Sequence, residues 1–444
     1  MNPNFNFFQQ WYPLSPVEDL EKDRPIPVKV LGINLVIWKP LSSETFQVFL
    51  DECPHRLAPL SEGRIDDQTG NLMCSYHGWQ FDSQGSCTHI PQAEKAEIIA
   101  KNQDNFCVTS FPVREEQDLL WVWLDLNSVD IAATTKLPLS PLVDASKGFV
   151  WSSFVRDLEY DWQTLVENVA DPSHVPFAHH GVQGNRDKAK PILMQVKDSQ
   201  ADIIEVETVG NFSVPTKITF EPPCRLEYAI QFGGEDKQMG LVTYCIPISP
   251  GKSRLVAQFP RNFAKRAHKL TPRWWDHINN RNLVIDGDMI LLRQQEQLLQ
   301  QHQRTESWKT AYKLPTGADR LVIEYRNWFD RYCGGKLPWE KVGLNGEIPQ
   351  TTQSRQETLD RYTQHTQHCS SCRGALKNIQ NIQKFLLGYF TISVAVVGLL
   401  PDAIRLPVGL PLILLALLCL GGYVGLKFWL EPKFYFVDYV HSEK

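Results

Sequence analysis

Cys53-Pro54-His55 and, with eighteen residues between, Cys74-Ser75-Tyr76-His77 put two thiols and two imidazoles into two tight pairs. Thiolates and imidazoles are metal ligands, and their order along the chain says which metal they suit. Two Cys and two His can close a tetrahedral zinc site, but zinc loops usually group Cys with Cys and His with His. A two-iron, two-sulfur cluster with mixed ligands needs two thiolates on one iron and two neutral imidazoles on the other. Each loop must then give one of each, which C-x-H followed by C-x-x-H does. Gly63, Gly70, Gly78 and Gly85 suit tight loops at the tip of a β-domain.

A second constellation runs from Glu167 to His179, as Glu-x3-Asp171-x2-His174-x4-His179. Alone, two His beside an Asp could be polar residues at a helix end. They also suit an iron that activates O2, because two His and one carboxylate on one face leave coordination positions open. The carboxylate would be distant in sequence. Asp286 and Asp288 stand in the apolar stretch Val284-Ile285-Asp286-Gly287-Asp288-Met289-Ile290-Leu291-Leu292, where a buried carboxylate needs a partner. The other role open to either acid is that of a helix N-terminal residue favoured by the dipole. His180 reads as a neighbour of the motif and not a ligand.

Taken together, the two constellations resemble Rieske non-haem iron oxygenases. Neither Cys-His loop carries a second thiol, unlike the electron-transport Rieske proteins, whose loops are joined by a disulfide. The whole chain resembles the pheophorbide a oxygenase group, which includes chlorophyllide a oxygenase and the translocon-associated Rieske proteins. A third feature carries this resemblance: His368-Cys369-Ser370-Ser371-Cys372, placed before two apolar runs. Its C-x-x-C reads as a redox dithiol, as a small zinc site with His365 and His368, or as neither. The resemblance implies a [2Fe-2S] cluster on Cys53, His55, Cys74 and His77, and a mononuclear Fe(II) on His174, His179 and Asp288. It also implies that Asp171 is a carboxylate bridging an iron-ligating His to a Rieske His of a neighbouring subunit, hence a homotrimer. Electrons would come from ferredoxin or a separate reductase, since no Gly-rich nucleotide motif is present. The substrate would be a chlorophyll-derived, tetrapyrrole-like ring. A membrane-tethered electron carrier or translocon-associated protein is the alternative reading. Plant members begin with a transit peptide that this chain lacks, so a cyanobacterial relative or a mature form is expected.

The elements that must position these residues fall into three regions. Val28–Leu31, Leu35–Trp38, Thr45–Leu50, Phe106–Val108 and Leu120–Leu124 read as short strands. Asn127–Ala145, with Pro138 and Pro141, reads as a linker. Beyond it, Asp161–Val169 fits a helix, and Ala201–Val209 and Arg225–Phe232 fit strands. Arg281–Gln303 fits a long helix with Val284, Ile285, Leu291, Leu292 and Leu298 broadly on one side. The expected fold is α+β: a β-rich Rieske domain over 1–135, then a helix-grip-like iron domain over 148–365. A CxxC segment over 365–376 and a two-helix transmembrane hairpin over 384–430 complete it. The apolar runs Phe385–Leu400 and Leu406–Leu426 would span about 24 and about 31 Å as helices. Lys377 and Lys384 precede them and Lys427 and Lys433 follow, which places the catalytic body on the cytoplasmic side of a thylakoid or plasma membrane.

Composition agrees with this reading. The net charge of -5 and the absence of a basic run argue against a nucleic-acid partner. Ten Cys clustered in short motifs point to metal or redox chemistry in a reducing compartment, not to a disulfide scaffold. The segment Met1–Phe8 has neither the basic region nor the apolar core of a secretory signal. Thirteen Trp and twenty-two Phe fill cores or line a pocket for a large flat ligand.

Overall fold

Runs of β-branched and aromatic residues in the first 125 positions pair into three small antiparallel sheets. The computed structural model describes residues 5–443 except 96, 102, 211–213, 233–235, 304–306 and 350–352. Leu119–Trp123, buried at every position, is the centre of a sheet with Trp11–Pro16 and Val113–Glu116 on either side. Ile26–Val30, Ile33–Trp38, Gln47–Leu50 and Ser110–Phe111 form the second sheet in that order. The third, Arg64–Ile65, Leu72–Met73, Gln80–Phe81 and Cys87–His89, consists of very short strands that flank the two Cys-His loops. Trp38, Phe49, Leu60, Leu72, Trp79 and Phe81 pack into one core that also takes in the Cys53 and Cys74 thiols.

Phe106–Val108, expected as a strand, is not one. Gln103–Phe106 forms a helical turn, and the pairing strand is Ser110–Phe111. The linker expected over Asn127–Ala145 contains a helix, Val129–Thr134. The Arg114 guanidinium ties that helix to the first sheet by donating to the carbonyls of Ala132, Ala133 and Thr135.

The next region is a seven-stranded antiparallel sheet. Its order is Ser153–Leu158, Lys252–Gln258, Lys237–Ser249, Arg225–Phe232, Thr216–Glu221, Ile204–Val209, Leu193–Ser199. Helix α1 (Trp162–Ala170) begins at Asp161, whose side chain accepts from the Gln163 N–H, and buries Trp162, Leu165, Val166 and Ala170. That spacing is one helical stripe. Trp162 packs edge-on against Tyr325 and at a tilt against Phe329, while its indole N–H reaches the Cys245 carbonyl at 3.1 Å. Helix α2 (Asn282–Gln303) matches the expected long helix, and α3 (Arg320–Cys333) ends on Gly334 in the left-handed conformation.

The buried face of α2 differs from the expected apolar stripe. Leu291 and Leu298 are exposed, and the buried positions include Asn282, Ile285, Asp286, Asp288, Met289, Glu296 and Leu299. Asp286 and Glu296 sit in this interior stripe because Arg361 meets the first and the Asp161 N–H and Thr164 hydroxyl meet the second, partners that the helix's own sequence does not reveal.

By contacts, Met1–Leu270 with Leu291–Thr352 form one compact unit and Thr271–Ile290 with Gln353–Lys444 a second, the division falling within α2. In the second unit, α4 (Ser370–Leu399) packs against α5 (Leu410–Gly425). Ser370–Leu399 and the helical stretch Asp402–Phe434 are both long and apolar enough to cross a membrane by length and composition. Phe385, Leu399, Leu406, Leu418 and Phe428 are exposed on them.

Glu296 illustrates the cost of an acidic interior. The Asp161 N–H donates to its Oε1 at 2.6 Å and the Thr164 hydroxyl at 2.8 Å. Burial, and behind it the Asp161 carboxylate, push the Glu296 pKa up to about 8. Between the ordinary 4.5 and about 8 the folded chain holds a proton that the unfolded chain has released. Stability from this group is therefore full below the ordinary value and is lost as pH rises through the folded one. The Glu296→Gln variant should lose less melting temperature than the parent between about pH 5 and about pH 8.5. Thermal unfolding at the two pH values measures it, and parallel curves would refute the assignment.

Candidate metal centres

The two Cys-His loops are built alike. The Cys53 N–H donates to the Ala58 carbonyl and the Leu57 N–H to the Cys53 carbonyl, both at 2.8 Å. The Cys74 N–H donates to the Trp79 carbonyl and the Gly78 N–H to the Cys74 carbonyl, both at 2.9 Å. Gly78 has φ +72, and a Cβ there would stand 2.9 Å from Pro91 Cγ, so both conformation and space call for glycine. The turns leave the thiols in the core and the imidazoles at the rim. His55 stacks on Trp79 with centroids 4.7 Å apart and planes within 7°. His55 Nδ1 and His77 Nδ1 meet at 3.1 Å.

This geometry fits a two-iron cluster better than zinc. The imidazoles converge as one pair and the thiols as another. Two other groups among the described residues bring their ligand atoms within 4.8 Å as a single ion requires, and this quartet is not one of them. Burial, followed by the neighbouring Cys74, pushes the Cys53 thiol up to about 12. Two thiolates here therefore need positive charge beside them, which iron brings. Partial burial, His77 and Arg56 lower the His55 pKa and favour the neutral, ligating imidazole.

Asp171 caps the C-terminus of α1 and opens the turn that holds His174. Its carboxylate accepts from the Ser173 N–H at 2.7 Å and the Ser173 hydroxyl at 2.5 Å. The contact to His174 Nδ1 is made by the Asp171 main-chain carbonyl, and the carboxylate stands 3.9 Å away. A carbonyl accepts only, so Nδ1 carries the proton and Nε2 is the nitrogen that could coordinate a metal. The His174 and His179 ring centroids are 5.0 Å apart. Gly184 closes the following turn through its N–H to the His179 carbonyl at 2.9 Å, and a Cβ there would run into the Val175 carbonyl. His180 turns elsewhere, its Nδ1 accepting from the Arg186 N–H at 3.1 Å.

Of the two acids on α2, Asp286 is engaged by Arg361, whose Nη2 and Nε donate to one carboxylate oxygen at 2.6 and 2.8 Å with both side chains fully buried. Asp288, two residues further along α2, is buried as well. Two imidazoles and one carboxylate suit a ferrous ion with open positions.

A third group was half legible in the sequence. Cys369 and Cys372 meet His365 and His277, all four buried, with one ligand atom each within 4.8 Å. His368, the other histidine beside the C-x-x-C, is not part of the group. His277 lies 92 residues before Cys369, and nothing in the local sequence flags it. Burial raises the Cys369 pKa, but hydrogen bonds with Cys372, His277 and His365 outweigh it and hold the thiol well below its usual range. Burial lowers the His277 pKa to about 4.

Residues 10–112 match the Rieske [2Fe-2S] domain family and residues 220–306 the pheophorbide a oxygenase family. A solved structure of dicamba monooxygenase bound to 3,6-dichlorosalicylic acid superposes with a TM-score of 0.59 at 19% identity. It covers 73% of this chain and 98% of its own, which establishes the fold. Fold and matched domains define a Rieske non-haem iron oxygenase, a class that uses a [2Fe-2S] cluster and a mononuclear iron. Pheophorbide a oxygenase of Oryza sativa subsp. japonica is 39% identical over 99% of this chain and 85% of its own length. Flavonoid 8-hydroxylase 2 of Ocimum basilicum is 34% identical over 81% of this chain and 71% of its own. Within the class, the chain belongs to the pheophorbide a oxygenase family.

His77→Cys would leave three thiolates and one imidazole. Exchanging two His ligands for Cys separates potentials of about -150 to +300 mV from about -400 mV. The variant's cluster should therefore titrate at least about 100 mV lower. Anaerobic redox titration reads it, and an unchanged potential would remove His77 from the ligand set.

Proposed function

We propose that the chain is a membrane-anchored oxygenase that takes electrons from ferredoxin or a separate reductase and inserts oxygen from O2 into a chlorophyll-derived or similar large apolar ring. The observation that carries this reading is 39% identity to a pheophorbide a oxygenase along 99% of the chain. Cys53, His55, Cys74 and His77 hold the cluster, and His174, His179 and Asp288 hold the iron. When bound, the two centres supply the electron relay and the O2 chemistry.

The chain's own residues orient and shield these groups. The Asp171 carbonyl sets the His174 tautomer, and the buried Glu167–Arg326 pair anchors the helix that leads into it. Tyr312 donates to Glu167 Oε2 at 3.2 Å, and Tyr228 to the Val169 carbonyl at 2.7 Å. Burial, then the charge of Asp171, raises the Tyr228 pKa and keeps the phenol neutral. A homotrimer is supported by what flanks the ligands. Leu57 and Tyr76, one on each Cys-His loop, are 70% and 62% exposed, a surface that a neighbouring subunit would cover. The Asp171 carboxylate, partly exposed, is the group that would meet it. Anchoring by the two apolar helices suits a substrate that partitions into lipid, with the catalytic body on the cytoplasmic side of a thylakoid or plasma membrane.

Metal analysis and turnover test this. Purified protein should hold about three irons and two sulfides per chain. Asp288→Asn should hold about two irons with both sulfides, whereas Asp286→Asn should keep the third iron but unfold more easily by about 3–5 kcal/mol, because Arg361 is stranded. Two irons in the parent would sink the oxygenase reading. Pheophorbide a, chlorophyllide a, protochlorophyllide and a flavone would each be bound anaerobically, then exposed to O2 with reduced ferredoxin. Mass gain on a tetrapyrrole is expected, and gain on the flavone alone would overturn the substrate class.

A further inference from the structure

We propose that His277, His365, Cys369 and Cys372 hold a structural zinc ion. None of these residues belongs to the cluster or to the iron group. His365 Nε2 lies 3.3 Å from Cys372 Sγ, and His277 Nδ1 lies 3.6 Å from Cys369 Sγ and 3.7 Å from Cys372 Sγ. Zinc binds thiolate sulfur at about 2.3 Å and imidazole nitrogen at about 2.0–2.1 Å in a tetrahedron, whose sulfur-to-nitrogen edge is then about 3.6 Å. The three distances are edges of such a tetrahedron.

Charge and burial point the same way. Both thiols and His365 are fully buried and His277 is 1% exposed. Two thiolates and two neutral imidazoles around a divalent ion sum to zero charge, the arrangement a dry interior tolerates. Arg273 Nη2 donates to Cys369 Sγ at 3.1 Å, a charged donor placed on a sulfur as outer-shell partners are placed on metal-bound thiolates. Ile278, Leu376, Ile379, Leu430 and Phe434 pack around the cysteines. Four protein ligands in a closed apolar shell are the mark of a structural site. A dithiol that exchanges with partner proteins needs a sulfur that an attacking thiolate can reach, and neither sulfur here is accessible.

The ligands come from three segments: the turn around His277, the turn Tyr362–Thr366, and the first turn of α4. Zinc would cross-link them at the foot of the first apolar helix.

Zinc-edge X-ray absorption on the full chain, purified anaerobically without chelator, tests this without interference from iron. The expected result is about one zinc per chain with two sulfurs at about 2.3 Å and two nitrogens at about 2.0 Å. Asp288→Asn should retain that zinc, and Cys369→Ser/Cys372→Ser should lose it. Absence of zinc, zinc with only nitrogen and oxygen neighbours, a fourth iron in its place, or a Cys369–Cys372 disulfide in the native protein would overturn the proposal. The spectrum of the parent decides the matter even if the double variant fails to fold.

Discussion

Beneath α1 the Glu167 carboxylate and the Arg326 guanidinium meet in the interior, both nearly inaccessible. Neither charge could be there without the other, since an isolated buried ion costs several kcal/mol. The pair joins the last turns of α1 to α3, and Gln163 and Tyr312 bind the same two groups. Fixing α1 fixes where it ends, at Asp171, and so where the turn carrying His174 and His179 begins. The segment that carries His174 and His179 is short and takes its position from this ion pair. Glu296 with Asp161 and Asp286 with Arg361 repeat the theme: buried acids, each held by a named donor.

The legible part of the sequence was chemistry at short range. C-x-H with C-x-x-H, and His174 with His179, are fixed by local spacing, and the turns that build them are closed by hydrogen bonds within a few residues. Short strands and the helices at Trp162–Ala170 and Asn282–Gln303 also followed from local pattern. Contacts between distant segments were not legible. Nothing near Asp286 or Asp288 shows that Arg361, 75 residues beyond Asp286, engages one of them. His277 reads as an ordinary helix residue until Cys369 and Cys372 are seen beside it. The leucine stripe expected on α2 failed for the same reason, because acids with remote partners occupy the buried face.

Among the described residues, three sets of candidate metal ligands differ in donor type and number. The cluster quartet keeps its imidazoles at the surface and its sulfurs inside. His174, His179 and Asp288 offer two nitrogens and an oxygen, a set that leaves positions open. His277, His365, Cys369 and Cys372 offer a full complement and an apolar shell. Ligand count separates the reactive group from the closed one.

Asp171 divides its duties between two atoms. Its main-chain carbonyl orients His174, while its carboxylate binds Ser173 and is partly open to solvent. A peptide carbonyl is present whatever the side chain, so the alignment of the imidazole is insulated from mutation at this position. The outward-facing group is not. A substitution at position 171 would therefore change the group presented outward and leave the orientation of the His174 ring as it is, so the two roles of this residue can vary separately.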